Sequence, residues 1–367
     1  MFKYWFKFDD LPTQWRVCVY TLRGIDLYSL RGSKNFIPEI GSIYAGFHAA
    51  PWGLLLENVF YAGFLEYEQA KIYFLVMNFI VILTASIILY RTINNISSKS
   101  SFLAFLMSLL SADFLASTSA GNAGGMICAI LVISWAVCDE HPYTAGILLG
   151  LAMIKPQDAL IICFMFLLMK RFVPLIVAAV IDIVAWFAVS VLTNKGMIEL
   201  MREFLFAPSS SVGRPFAGIF SLMFDNFLVA MGLSMLAGII FVCLMFMFIP
   251  EKTPLFVKSY PAFMALTFWS YSYLNDLYVL IIPACICLMF TFHNNKSLRR
   301  WLWFISIIYC QYGIIFRSIQ ARVIRAVFPV YADISMDISR TLYESVIIII
   351  GTLICLELRK IYEEVKS

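Results

Sequence analysis

The stretch FVPLIVAAVIDIVAWFAVSVL, residues 172–192, decides the fold class, with a single charged residue, Asp182, in its whole length. A second stretch, FLVAMGLSMLAGIIFVCLMFMFI at 227–249, carries no charge at all. A helix needs about 20 apolar residues to cross the hydrocarbon of a bilayer. Strands of a membrane barrel alternate apolar and polar residues, which these continuously apolar runs do not. Of the 367 residues, 62% are hydrophobic and 14% charged, and mean hydropathy is +0.85. A soluble domain is about half apolar and about a quarter charged. The composition therefore excludes an ordinary water-soluble enzyme and predicts an all-α, polytopic transmembrane helical bundle.

By length and hydropathy about eleven spans are expected, near 72–90, 101–119, 123–138, 143–154, 157–170, 172–193, 226–249, 260–273, 277–292, 301–316 and 341–357. No linker divides the chain, so residues 1–367 are expected to form one integral membrane domain. Residues 1–71 form its mixed-character head and 72–357 its bundle. Within the head, PWGLLLENVFYAGFL (51–65) is interrupted by Glu57 and suits an interfacial or re-entrant segment. Alternate loops place Arg91, Lys99, Lys170, Arg171, Lys252, Lys258, Lys296, Arg299, Arg300, Arg359, Lys360 and Lys366 on one side. The short turns opposite hold only Lys155. The basic side is read as cytoplasmic. The head, with the longer loops 194–225 and 317–340, then lies outside. An outer head calls for a signal or a preceding helix, and MFKYWFKFDD is too short and acidic to be a signal, so either the N-terminus is shortened or 42–66 crosses and the N-terminus lies inside. In 196–207, Ile198, Met201 and Leu205 share one helical face opposite Glu199, Arg202 and Glu203, which suits a surface helix.

The nine cysteines, eight of them in apolar runs, read as packing residues, and the three histidines stand far apart. No metal or cofactor is expected, and a net charge of +4 does not point to nucleic acid. P-loop, GxSxG, HExxH and CxxC motifs are missing. Chemistry must then rest on scattered polar residues at the outer ends of the spans.

Asp26 in TLRGIDLYSLRG (21–32) is a carboxylate between Arg23 and Arg31, either a general base or a loop carboxylate paired with arginine. In GLAMIKPQDAL (150–160), Pro156 breaks an apolar stretch beside Lys155, Gln157 and Asp158. Charges at membrane depth line polar cavities, so Lys155 is read as a lipid-phosphate contact and its two neighbours as part of the wall. The alternative is a tight turn with a self-satisfied Lys155–Asp158 pair. SAGNAGG (119–125) offers Asn122 in a turn open to a ligand or to simple helix packing. In SYSYLNDLYVLIIP (270–283), Asn275, Asp276 and Tyr278 mark a late break where Asp276 orients a sugar hydroxyl or caps a helix. His48 in the head either contacts substrate or is simply interfacial, and Arg317, Arg322 and Arg325 in the last outer loop either bind an anionic headgroup or only solvate the loop. Asp113 and Asp182 inside apolar spans keep a proton-coupled transporter or a flippase of lipid-linked saccharides open as the rival reading. Against that rival, no internal repeat divides the chain into related halves.

Three features resemble the polytopic GT-C glycosyltransferases, specifically glycosyltransferase family 87, which includes polyprenol-phosphate-mannose-dependent α-mannosyltransferases. They are GIDLY (24–28) followed by YAGFHAAPWGLLL (44–56), Gly121-Asn122 ahead of an apolar span, and AGILLGLAMIKPQ (145–157). The sequence departs from the family's Tyr-Pro-Pro element, which reads Ala50-Pro51. It also has Asn275-Asp276 where a histidine is often found. The resemblance implies a GT-C fold and a sugar donor on a polyprenyl phosphate. It implies a lipid or glycan acceptor and an active site on the outer face of a bacterial plasma membrane. Asp26 would act as base in an inverting transfer, with Lys155 and Arg214 or Arg322 on the leaving phosphate. A head on the wrong side for want of its first helix would instead make the chain inactive.

Overall fold

In the computed structural model the described residues are 9–28, 50–206, 220, 223–224, 227–269, 274–293 and 296–363. They are helical throughout, with no strand among them. The helices are α1 (Leu11–Leu22), α2 (Gly53–Leu56), α3 (Asn58–Tyr61), α4 (Tyr67–Asn94), α5 (Ser98–Leu109), α6 (Ala112–Ala120), α7 (Gly124–Val137), α8 (Pro142–Ala152) and α9 (Pro156–Leu168). They continue with α10 (Phe172–Thr193), α11 (Met197–Phe206), α12 (Phe227–Phe248), α13 (Leu255–Lys258) and α14 (Tyr260–Trp269). The last are α15 (Ile281–His293), α16 (Ser297–Gln311), α17 (Gly313–Val327) and α18 (Ser335–Glu363). Cα packing divides the chain into two compact units. One comprises Met1–Ile82, Ala116–Leu160 and Phe166–Gly213, the other Leu83–Leu115, Ile161–Met165 and Arg214–Ser367.

Among the described residues the expected spans fall on helices, with 101–119 and 301–316 each divided between two, and not every helix has a span's length. Among the described residues four stretches are long and apolar enough to cross a membrane, namely Tyr67–Asn94, Ser98–Ala120, Phe172–Thr193 and Ile338–Ile361. A fifth counts if Ser297–Gln311 and Ile315–Val327, bent by 86°, are one broken span. At 1.5 Å per residue, the 22 residues of α10 reach about 33 Å, which matches the ~30 Å hydrocarbon core. By the same rule, the 14 residues of α7 reach only about 21 Å. The protein is therefore a membrane protein with at least four candidate spans, interleaved with shorter apolar helices.

In the first unit α7 is the innermost helix, with every residue from Gly124 to Trp135 buried. α8 lies against α10 through Gly146 and Gly150, one turn apart. A Cβ on Gly146 would stand 2.6 Å from the Cβ of Val177, and one on Gly150 3.2 Å from that of Ile181. Small residues at this spacing let two helices meet backbone to backbone, the usual solution where lipid gives no hydrophobic drive. The small-residue stretch AGILLGLA (145–152) is thus a packing surface for α10.

In the second unit every residue of α15 from Ile281 to Phe290 is buried. The Tyr278 hydroxyl shares a 2.7 Å hydrogen bond with the Ser108 hydroxyl, which also accepts one from Ser86 at 2.8 Å. Residues 317–340, expected as an outer loop, are largely helical. α17 covers the first part, a 3-10 turn spans Pro329–Ile334, and α18 begins at Ser335. The basic residues that suggested a loop belong to an amphipathic helix. Arg317 is buried on its inner side, whereas Arg322 and the apolar Ile315, Ile319 and Val323 are exposed.

Candidate functional site

α1 ends at Leu22, and Gly24, at φ +69°, turns the chain back so that Asp26 follows within one turn. Leu27 and Tyr28 then enter an apolar cluster with Val17, Tyr20, Val189 and Leu200. This cluster anchors the loop on both sides of the carboxylate. Asp26 Oδ1 accepts the Tyr28 backbone N–H at 3.0 Å, a local turn that aspartate favours. Its Oδ2 lies 2.6 Å from Lys195 Nζ. Lys195 is delivered by the end of α10. Asn194 adopts φ +53°, and the Lys195 N–H returns to the Ser190 carbonyl at 3.1 Å. From α11, Glu203 bonds the same ammonium and Glu199 stands 3.8 Å away. Burial draws the Lys195 pKa down, but the hydrogen bonds and charges of Asp26 and Glu203 hold it above the usual lysine value.

A Cβ on Gly24 would strike the Leu192 carbonyl oxygen, in a backbone conformation that already disfavours L side chains. Gly24→Ala is expected to destabilise the head by about 1–3 kcal/mol, read as a lower Tm in detergent. Lys195 and Glu203 were missed as site residues because both fall in 194–225, read only as a long outer loop with a surface helix. Their spacing was the available signal, since Lys195 and Glu199 are one helical turn apart and Glu203 another. Lys195→Met would leave three carboxylates facing one another. It is expected to lower turnover about fivefold, the worth of a partly exposed ion-pair network, and kcat checks it. α11 also presents a different face from the one expected. Leu200 and Phe204 pack on the cluster, Ile198 is exposed, and Glu203 turns inward because Lys195 lies there.

A second polar group surrounds Lys155. α8 stops at Ala152, and Pro156 opens α9, where its missing N–H costs nothing. Lys155 between them is half-buried and donates to Asn122 Oδ1 at 3.2 Å. That oxygen also accepts the Gly124 N–H at 2.8 Å, and Asn122 Nδ2 donates to Asp10 Oδ2 at 3.0 Å. Beside them the Ala123 N–H donates to the Tyr61 hydroxyl at 2.8 Å. Asp158 is buried in the first turn of α9, and Gln157 is half-buried next to it. Glu57, at the junction of α2 and α3, is 6% exposed, and its Oε2 has no hydrogen-bond partner. Burial pushes its pKa up to about 8, against the opposing pull of Lys155. Two tryptophans link this group to the Asp26 cluster. Trp52 Nε1 donates to the Met153 carbonyl at 2.8 Å, and its ring meets Trp186 edge-on at 6.2 Å. Trp186 in turn packs against the cluster that holds Leu27 and Tyr28.

The sequence model of glycosyltransferase family 87 matches residues 50–266. This chain belongs to glycosyltransferase family 87. No protein of curated function and no solved structure matches it. The protein is thus a membrane glycosyltransferase. Within the matched segment lie Glu57, Asn122, Lys155, Gln157, Asp158, Lys195 and Glu203, while Asp26 precedes it.

The remaining candidates of this glycosyltransferase are distributed differently. Tyr278 is buried in the second unit, its hydroxyl committed to Ser108 and its ring against Phe114 at 5.4 Å. Asn275 and Asp276 fall on the 3-10 helix Leu274–Leu280, with their side chains outside the description. Arg322 is exposed on α17, and His48 and Arg214 lie outside the described residues. Among the described residues no three His, Cys, Asp or Glu side chains converge so as to hold a metal ion. The structure joins Lys155 to Asn122, as the sequence suggested separately, and adds Asp10, Tyr61 and Glu57 to them.

Proposed function

We propose that this glycosyltransferase moves a sugar, mannose or another hexose or pentose, from a polyprenyl-phosphate donor to a lipid or glycan acceptor. The transfer takes place on the outer face of a bacterial plasma membrane. The head, residues 1–71, faces outward and carries Asp26. The acceptor hydroxyl gives its proton to the Asp26 carboxylate, and its oxygen attacks the anomeric carbon. The bond from that carbon to the phosphate oxygen breaks, and the electron pair leaves with the polyprenyl phosphate. Attack from the face opposite the leaving group inverts the anomeric configuration.

The observation that carries this reading is the fixing of Asp26 at both oxygens, by the Tyr28 N–H and the Lys195 ammonium. A carboxylate oxygen has lone pairs for more than one donor, so an anchored Asp26 can still accept a proton. The leaving phosphate needs positive charge where its negative charge develops. Lys155, oriented by Asn122, supplies that charge. Asp158, Gln157, Asn122 and His48 contact substrate. The apolar membrane face receives the prenyl chain, and no metal or other cofactor takes part. The test is the stereochemistry of the product made from a donor of known anomeric configuration, read by NMR. Inversion is expected, whereas retention rules out a single displacement with Asp26 as base.

A further inference from the structure

In the second unit α5 and α16 both pack on α15 and leave between them a groove of about 500 Å³. Leu103, Leu106, Met107, Leu288, Phe304 and Ile308 make it apolar, and Leu103 and Phe304 are exposed on its rim. That volume suits a single small ligand, for which sites run to about 300–1,000 Å³. Along α16 the groove ends at Gln311 and Tyr312, its polar side chains. Gln311 is only 6% exposed, and its Oε1 has no hydrogen-bond partner. A buried amide oxygen without a donor is costly, so the groove calls for an occupant that brings one.

Past Gln311 the chain bends by 86° into α17, GIIFRSIQARVIRAV (313–327), which holds three arginines and no acidic residue. Arg322 is exposed, and Arg325 donates to Ser335 Oγ at 2.6 Å. Arg317 is 3% exposed, and its Nε has no hydrogen-bond partner. The charged groups within electrostatic reach of it are Arg340 and Glu344 on α18 and Asp113 on α6. Arg340 Nε already holds Glu344 at 2.5 Å, and neither carboxylate takes the Arg317 Nε–H. A buried cation needs hydrogen-bonded counter-charge, and at membrane depth it marks a partner or a ligand.

We propose that this part of the second unit seats one anionic phospholipid of the bilayer, with an acyl chain in the groove, a headgroup hydroxyl on Gln311 and the phosphate on Arg317. The hydroxyl donates to Gln311 Oε1 and the guanidinium donates to the phosphate oxygens, so both unpartnered atoms are satisfied by one molecule. Phosphatidylglycerol carries both groups. A zwitterionic lipid would instead bring an ammonium towards a helix of three arginines. The groove accommodates one chain of acyl length, far less than a polyprenol. The seat does not depend on the roles assigned to Asp26 and Lys155.

The test is photolabelling of the full chain in phosphatidylcholine nanodiscs by phosphatidylglycerol with a diazirine on one acyl chain. Label is expected in segments 103–112 and 304–312, and unlabelled phosphatidylglycerol is expected to compete it away. A phosphatidylcholine probe with the same diazirine is expected to label them about tenfold less, the worth of a hydrogen bond to a charged group. Arg317→Gln is expected to bring the phosphatidylglycerol probe down to that level. Leu103→Trp, on the exposed rim, is expected to block both probes. Equal labelling by the two probes, full labelling of Arg317→Gln, or full labelling of Leu103→Trp overturns the proposal. So does label that polyprenyl phosphate removes and phosphatidylglycerol does not, which would give the groove to a prenyl chain. Should Arg317→Gln fail to fold, the ratio of the two probes on wild type decides.

Discussion

Asp26→Asn is expected to lower kcat by about 10²–10⁴-fold, the usual worth of a general base, while the KM for donor stays within about twofold. The amide is nearly isosteric and keeps an oxygen for the Tyr28 N–H. It cannot take a proton from an acceptor hydroxyl. Lys195 keeps Glu203 and Glu199, so the turn at the end of α10 retains its own ion pairs. A purely structural Asp26 makes the opposite prediction, with lost stability and surviving turnover. Steady-state kinetics and a thermal melt on the same preparation separate the two.

Lys155→Met is expected to raise the KM for donor roughly ten- to hundredfold with little change in the fold. This is the range for a lost hydrogen bond to a charged group, about 1.5–3 kcal/mol. Asn122 Oδ1 keeps the Gly124 N–H, so the turn before α7 retains its anchor. Glu57 loses its nearby cation and stays protonated to higher pH. If the lysine also stabilises charge that develops only in the transition state, kcat falls together with kcat/KM. A variant with unchanged KM and kcat would remove Lys155 from the site.

The helices were legible because their signal is long-range and redundant. α10 and α12 are continuously apolar, and α4 and α5 follow the same pattern. What hydropathy could not separate is a crossing from a shorter buried helix. α7, α8 and α9 are as apolar as any span but too short for one, and burial against neighbouring helices stabilises them as well as lipid would. The amphipathic α17 was hidden because its arginines suggested a solvated loop, while one of them, Arg317, points into the second unit.

The site was legible as single residues and illegible as partnerships. Asp26, Asn122 and Lys155 stood out because each breaks a local pattern. The Lys195 partner of Asp26 lies 169 positions along the chain and meets it only because α10 packs beside α1. Glu57 was visible as an interruption in 51–65, but its meaning depends on burial beside Lys155, which no spacing encodes. Asp113 and Asp182, which favoured transport, take different places. Asp113 is buried in the second unit within electrostatic reach of Arg317, Cys310 and Tyr343. Asp182 sits half-buried midway along α10, its Oδ1 without a hydrogen-bond partner. Membership of glycosyltransferase family 87 assigns transfer chemistry to the chain.

The most direct test of the central claim is sugar transfer in proteoliposomes holding the full chain. The donor is radiolabelled polyprenyl-phosphate mannose, extended to a panel of polyprenyl-phosphate hexoses and pentoses, and the acceptor is a membrane-lipid extract. Label is expected to pass from one of these donors to a lipid or glycan product with wild type, and to stay on the donor with Asp26→Asn. Transfer from a nucleotide sugar but from no polyprenyl-phosphate sugar would contradict the account.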